Sequence, residues 1–140
     1  MKFYFGVKYH QDLSNKDLIE RICGIAEQHD HKIICDHRDL EQWGEISFSL
    51  KELMLKTFEI IEKSDAVIIE FSESGVGLGI EAGFAVAKNI PVYILLPKGR
   101  VLSPTMHGVC EKCFEYETDE DIEQIFSTIE NMQINIRCSK

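Results

Sequence analysis

The chain has 140 residues, 44% of them hydrophobic, and a formal net charge of −9 at pH 7. Its length fits one domain over 1–140 with enough apolar content for a core, and its acidity excludes a general nucleic-acid surface, which needs a basic face to neutralise phosphates. No window approaches the run of about 20 apolar residues that crosses a bilayer, and Met1–Phe5 leads straight into a strand pattern without the features of a signal peptide, so a cytoplasmic protein with no membrane partner is expected.

Lys2–Val7 is apolar and aromatic and reads as a first strand. Ser14 with Asp17 has the spacing of a capping box, and Leu18, Ile19, Ile22, Ile25 and Ala26 then recur at helical spacing. Lys32–Cys35 predicts a short second strand, and the polar stretch Asp36–Ile46, with Trp43-Gly44, predicts a loop. Ser49 and Glu52 open another helix by the same capping logic. Leu50, Leu53, Met54, Thr57, Phe58 and Ile61 would share its apolar face.

The near-continuous apolar run Ala66–Phe71 suits a strand covered on both faces. A glycine-rich turn and a helix over Gly79–Lys88 follow, and Asn89-Ile90-Pro91 stops that helix. Val92–Leu96 and Cys113–Tyr116 are the fourth and fifth strands. Thr118 and Asp121 cap a last helix to about Met132, with a frayed tail behind it. Alternating strands and helices with short joints predict a three-layer α/β sandwich of the flavodoxin or Rossmann-like kind. Its five-stranded parallel sheet takes the order 2-1-3-4-5, with a site at the carboxyl ends of strands one and three.

Five cysteines in a chain without secretion signals point to reduced thiols. His107, Cys110 and Cys113 have metal-like spacing but lack a fourth partner, so no metal is expected. Gly75-Val-Gly77-Leu-Gly79 is not a dinucleotide fingerprint, because it follows the third strand and its spacing differs. Nor is it a P-loop, because no Gly-Lys-Ser/Thr comes after it. Such a loop at a helix start can still receive an anion or a hydroxylated ring through its backbone N–H groups. Glu81 beside that helix start would be kept ionised by the dipole, and an ionised acid is what attack on a sugar carbon requires.

The run S-D-A-V-I-I-E, followed by G-V-G-L-G-I-E-A-G-F-A, closely resembles the nucleoside 2-deoxyribosyltransferase superfamily, including its deoxynucleoside 5′-monophosphate N-glycosidases. The family motif corresponds to Asp65, Gly77, Gly79, Glu81, Gly83 and Ala85. Gly99-Arg-Val-Leu-Ser103 resembles a segment that the monophosphate branch lends across a dimer interface. Tyr4-Phe5-Gly6 and Asp36-His37 are fainter matches. The resemblance implies that Glu81 attacks the anomeric carbon of a nucleoside sugar and that water or a second base then takes the sugar, without metal or organic cofactor. It implies a small-molecule nucleoside or nucleotide as partner and a homodimer with a shared active site. The substrate-binding set it implies is Gly6, Lys8, His37, Thr57, Gly75, Gly77, Gly79 and Ser103.

The chain departs from the family at three places. Thr57 stands where the family has an aspartate, and a hydroxyl cannot donate a proton near neutral pH as a carboxyl can. Gly75, beside Ser74, stands where a serine or aspartate contacts the 5′ group. Val7-Lys8-Tyr9-His10 replaces a glycine-serine-x-arginine loop, leaving Lys8 or His10 as point charges for a phosphate. Glu70 and Glu73 flank the motif and could supply the missing acid, and Trp43 could stack on a base or cap the core. A nucleotide-binding sensor with lost or weak turnover is the alternative that these departures motivate.

Overall fold

Residues 1–139 are described by a computed structural model. Five strands, β1 (Lys2–Gly6), β2 (Lys32–Ile34), β3 (Ala66–Glu70), β4 (Val92–Pro97) and β5 (Lys112–Tyr116), form one sheet in the order β2-β1-β3-β4-β5. Every pairing is parallel, with Tyr4 opposite both Ile34 and Val67. The helices are α1 (Lys16–Gln28), α2 (Leu50–Glu62), α3 (Val76–Ala87), α4 (Pro104–Val109) and α5 (Asp119–Cys138). This is the three-layer α/β sandwich and the strand order that the alternating pattern predicts.

Strand side chains alternate between faces, and that alternation divides the core. Phe3, Phe5, Ile68, Tyr93 and Leu95 pack with Ile19 and Ile22 of α1 and Phe126 and Ile129 of α5. On the other face Val67, Ile69 and Ile94 pack with Ile61 of α2, Leu78, Ala82 and Ala85 of α3, and Met106 of α4. Tyr4 also points to this second face. Because β1 lies between β2 and β3, the winding reverses beside it. A crevice therefore opens at the carboxyl ends of β1 and β3.

Several boundaries differ from the sequence reading. Ser14 does not cap α1: its hydroxyl meets His10 Nδ1 at 3.2 Å, and Asn15 holds the cap position without a capping bond, its Nδ2 donating instead to Lys8 O at 2.8 Å. Asp36–Ile46 is not an open loop. A π-type turn, Asp36–Leu40, and a 3-10 turn, Gln42–Gly44, fill most of it, because Asp39 Oδ2 accepts from Cys35 N at 2.8 Å and Glu41 N donates to Asp36 O. Ser49 does cap α2, accepting from Glu52 N at 3.2 Å, but Leu50 is 85% exposed and does not join the buried face.

α3 begins at Val76, with Gly75 as its cap, so Gly77 and Gly79 lie inside its first turns. Leu78, Ala82 and Ala85 bury one stripe there, and tertiary packing outweighs the low helix propensity of glycine. The short helix α4 has no counterpart in the sequence reading. α5 runs on to Cys138, past the expected tail, and Lys140 lies outside the described residues.

Asp65, which the motif singles out, sits at the opposite end of the sheet from the crevice. Its Oδ2 accepts from Lys2 N at 2.7 Å and its Oδ1 from Arg137 Nη2 at 2.7 Å, tying β1, β3 and α5 together.

Candidate active site

Glu81 projects from the second turn of α3 toward β1. Its Oε1 accepts from the Tyr4 hydroxyl at 2.7 Å. Its Oε2 is buried without any hydrogen-bond partner among the described residues. Gly6 makes room for this carboxyl, since a Cβ there would lie 2.5 Å from Oε2.

Glu81 also forms one wall of a cavity of about 300 Å³, lined by Val7, Lys8, Tyr9, His37 and residues 75–78. That volume is at the lower bound of small-molecule sites. The carboxyl is therefore held on one oxygen and unpaired on the other, beside a crevice lined in part by Gly75 and Gly77.

Tyr4 links Glu81 to a second acid. Its hydroxyl lies 3.2 Å from Asp36 Oδ2, and the same oxygen accepts from Thr57 Oγ1 at 2.5 Å. Thr57 is 1% exposed and also bonds Leu53 O, one turn back in α2, at 2.9 Å. It does not line the cavity as expected: it braces Asp36, whose carboxylate fills the space in front of it.

Burial governs the protonation of these groups. It is the main cause that pushes Glu81 up to about 8; the nearby Asp36 charge adds to the rise, and the Tyr4 hydrogen bond opposes it. The Asp36 carboxyl is also raised, by burial first, against the pull of Thr57 and Tyr4. Tyr4 is raised well above its ordinary value by burial and then by the two acids. The expectation that the helix dipole keeps Glu81 ionised therefore fails. Glu81 is six residues into α3, beyond the first turn where the dipole acts, and desolvation favours the neutral acid.

The remaining candidates divide. Lys8 lines the cavity, and its stem lies 3.9 Å from where a Cβ on Gly75 would stand. The His37 ring stacks on Tyr9 with centroids 4.5 Å apart, and its nitrogens face Val7 O and Glu41 Oε1, each at 3.3 Å. Gly75 and Gly77 line the same cavity. Gly79 and Ser103 instead line a neighbouring groove of about 340 Å³ between α3 and α4, which meets the first cavity at Gly75. Within its own chain Ser103 caps α4, accepting from Met106 N at 3.2 Å.

His10 is bound to Glu73 and is absent from the cavity wall. Glu70 supplies no acid to the site, because it turns to the opposite face and accepts from Tyr116 Oη at 2.7 Å and from Ser72. Trp43 packs on the core, with Lys16 Nζ 5.0 Å from its ring. Among the described residues no group of three or more potential ligands converges on a metal position, so His107, Cys110 and Cys113 do not form one.

Sequence reasoning missed the work of Tyr4 and Asp36. Beyond the faint matches at Tyr4-Phe5-Gly6 and Asp36-His37, a physical signal was present: a tyrosine inside an apolar strand must find a partner for its hydroxyl when buried.

No family model matches the chain, and no curated protein matches it in sequence. Solved structures do match. The CMP N-glycosidase of Clostridium botulinum superposes with a TM-score of 0.65 at 16% identity, over 91% of this chain and 99% of that one. A 2-deoxyribosyltransferase from Bacillus psychrosaccharolyticus gives 0.66 at 17% identity, over 88% and 90%. A conserved protein from Enterococcus faecalis V583 gives 0.65 at 17%, over 91% and 98%. This chain thus has the fold of a solved N-glycosidase and of a solved deoxyribosyltransferase, the architecture that the sequence resemblance implied.

Proposed function

We propose that this protein cleaves the N-glycosidic bond of a nucleoside, a 2-deoxynucleoside or a nucleoside 5′-monophosphate. The observation that carries the reading is the Glu81 carboxyl, gripped by Tyr4 on one oxygen and buried without a partner on the other, at the wall of a ligand-sized cavity. The N-glycosidase and deoxyribosyltransferase of the same fold support it.

In this reading the ionised Glu81 attacks C1′ of the pentose and the base departs with the bonding electron pair. An ester joins Oε2 to C1′ until water or a second base takes the sugar. The transition state carries oxocarbenium character, which a carboxylate in a water-poor pocket stabilises strongly. Gly75 and Gly77 let the sugar approach the backbone. Lys8 and His37 meet the base or the 5′ substituent, and Gly79 serves an adjoining subsite. Ser103 acts on a neighbour's site in a homodimer. Carboxylate attack of this kind uses no metal or organic cofactor.

The deciding experiment incubates the protein with a panel of nucleosides and 5′-monophosphates, with and without a free acceptor base, and follows base release by chromatography. Release that disappears in Glu81→Gln supports the proposal. No release from any member of the panel, with the two proteins indistinguishable, overturns it. One feature favours a second reading, a nucleotide-binding sensor with lost or weak turnover: burial pushes Glu81 up to about 8, which favours the neutral acid at about pH 7, and a neutral acid is a poor nucleophile. Calorimetric binding of a nucleotide without product formation across pH 6–9 would select the sensor.

A further inference from the structure

We infer that Glu81 and Asp36 share one proton through the Tyr4 hydroxyl, so that Asp36 receives the proton Glu81 must lose before it can act as a nucleophile. The argument starts from counting. Tyr4 owns one hydroxyl proton but touches two carboxyl oxygens, Glu81 Oε1 at 2.7 Å and Asp36 Oδ2 at 3.2 Å. Thr57 also owns one, and touches Asp36 Oδ2 at 2.5 Å and Leu53 O at 2.9 Å. A hydroxyl donates to one acceptor at a time. Tyr4 can therefore satisfy both acids only when one of them carries a proton of its own.

Two arrangements do this with a single carboxyl proton. In the first, Glu81 Oε1–H donates to Tyr4 Oη, and Tyr4 donates to Asp36 Oδ2. In the second, Asp36 Oδ2–H donates to Tyr4 Oη, and Tyr4 donates to Glu81 Oε1. Passing from the first to the second breaks the O–H bond of Glu81 and forms one on Tyr4. The Tyr4 proton moves on to Asp36. The electron pair stays on Glu81 Oε1, and the negative charge moves from Asp36 to Glu81.

The net charge of the buried cluster does not change, so ionising Glu81 in this way avoids placing a second charge in a dry site. The doubly ionised pair would set two carboxylates against one phenol. Burial raises both acids, as such sharing requires. Thr57 fits the role of a rotor, since its proton can turn from Asp36 to Leu53 O when Asp36 becomes neutral.

The groups that face the pair are few. β1 contributes Tyr4, and the end of β2 contributes Cys35, whose thiol burial pushes up to about 12. The turns after β2 contribute His37 and Glu41, the β1–α1 loop contributes Lys8 and Tyr9 at the cavity, and α2 contributes the Thr57 hydroxyl. Asp36 does not line the Glu81 cavity. It is a positioning residue that acts through Tyr4, and its use in attack rests on the glycosidase reading above.

The test needs no substrate, so its failure is distinct from a failure of that reading. The full chain is labelled with ¹³C at the Asp and Glu carboxyl carbons and titrated by NMR, with Glu81→Gln and Asp36→Asn assigning the two signals. The expected wild-type result is that each signal moves at both of two shared steps. Asp36→Asn should leave Glu81 a single step, shifted below the upper wild-type step. Tyr4→Phe should shift the Glu81 step upward. If a variant does not fold, its signal is assigned through backbone correlations in the wild type, whose curves then decide, because coupled acids each bend twice. Single, independent steps for the two signals overturn the proposal, as does a Glu81 titration that Asp36→Asn leaves unchanged.

Discussion

At the residue scale, the raised value of Glu81 makes two measurable statements. Its folded value of about 8 exceeds its ordinary 4.5. Between those values the folded chain therefore binds more protons than the unfolded chain, and stability falls as pH rises through that window. Thermal melts from about pH 5 to pH 8 should show this decline in the wild type and a flatter profile in Glu81→Gln. Base release should run the other way: kcat/KM should rise as pH climbs through about 8, because every Glu81 is then ionised and not only the fraction whose proton sits on Asp36. Gly6→Ala tests the geometry. Its Cβ, 2.5 Å from Oε2, must displace the carboxyl or the strand. The expected result is a loss of base release of at least ~10-fold, with a stability cost of about 1–3 kcal/mol from overpacking.

At the scale of elements, helix starts show what could be read in advance and what could not. Ser49 and Thr118 cap as their spacing predicts, and Thr118 forms a full capping box with Asp121. Ser14 has a similar spacing but its hydroxyl is taken by His10. Ser49→Ala and Thr118→Ala should each lower urea-unfolding stability by ~0.5–2 kcal/mol, while Ser14→Ala should change it by less than about 0.5 kcal/mol. The strands were legible because buried parallel strands are apolar throughout. The start of α3 was not, because three glycines argue against a helix that Leu78, Ala82 and Ala85 then anchor. Glu81 was legible from its neighbours in sequence, whereas its protonation was not. Desolvation and the charge of Asp36 arise only when the ends of β1 and β2 and the body of α3 meet.

At the scale of the whole molecule, the sheet order and the place of the crevice followed from alternation and handedness, while assembly did not. Leu50, Leu55, Val76, Ile80 and Val86 of α2 and α3 remain exposed, as does Val101 ahead of α4, an apolar side suited to a second copy. Light scattering should give a homodimer. Mixed subunits carrying Glu81→Gln and Ser103→Asn, the second retaining a capping side chain, should recover base release that neither variant shows alone. No recovery would place each site within one chain. The pin made by Lys2, Asp65 and Arg137 has a practical corollary. It fixes the end of α5 at the pole away from Glu81, and Cys138 is the exposed thiol there, while Cys23 and Cys35 are buried. With the partly exposed Cys110 and Cys113 replaced by serine, a maleimide-coated chip coupled at Cys138 would array the molecules in one orientation, with every crevice turned toward the flowing solution.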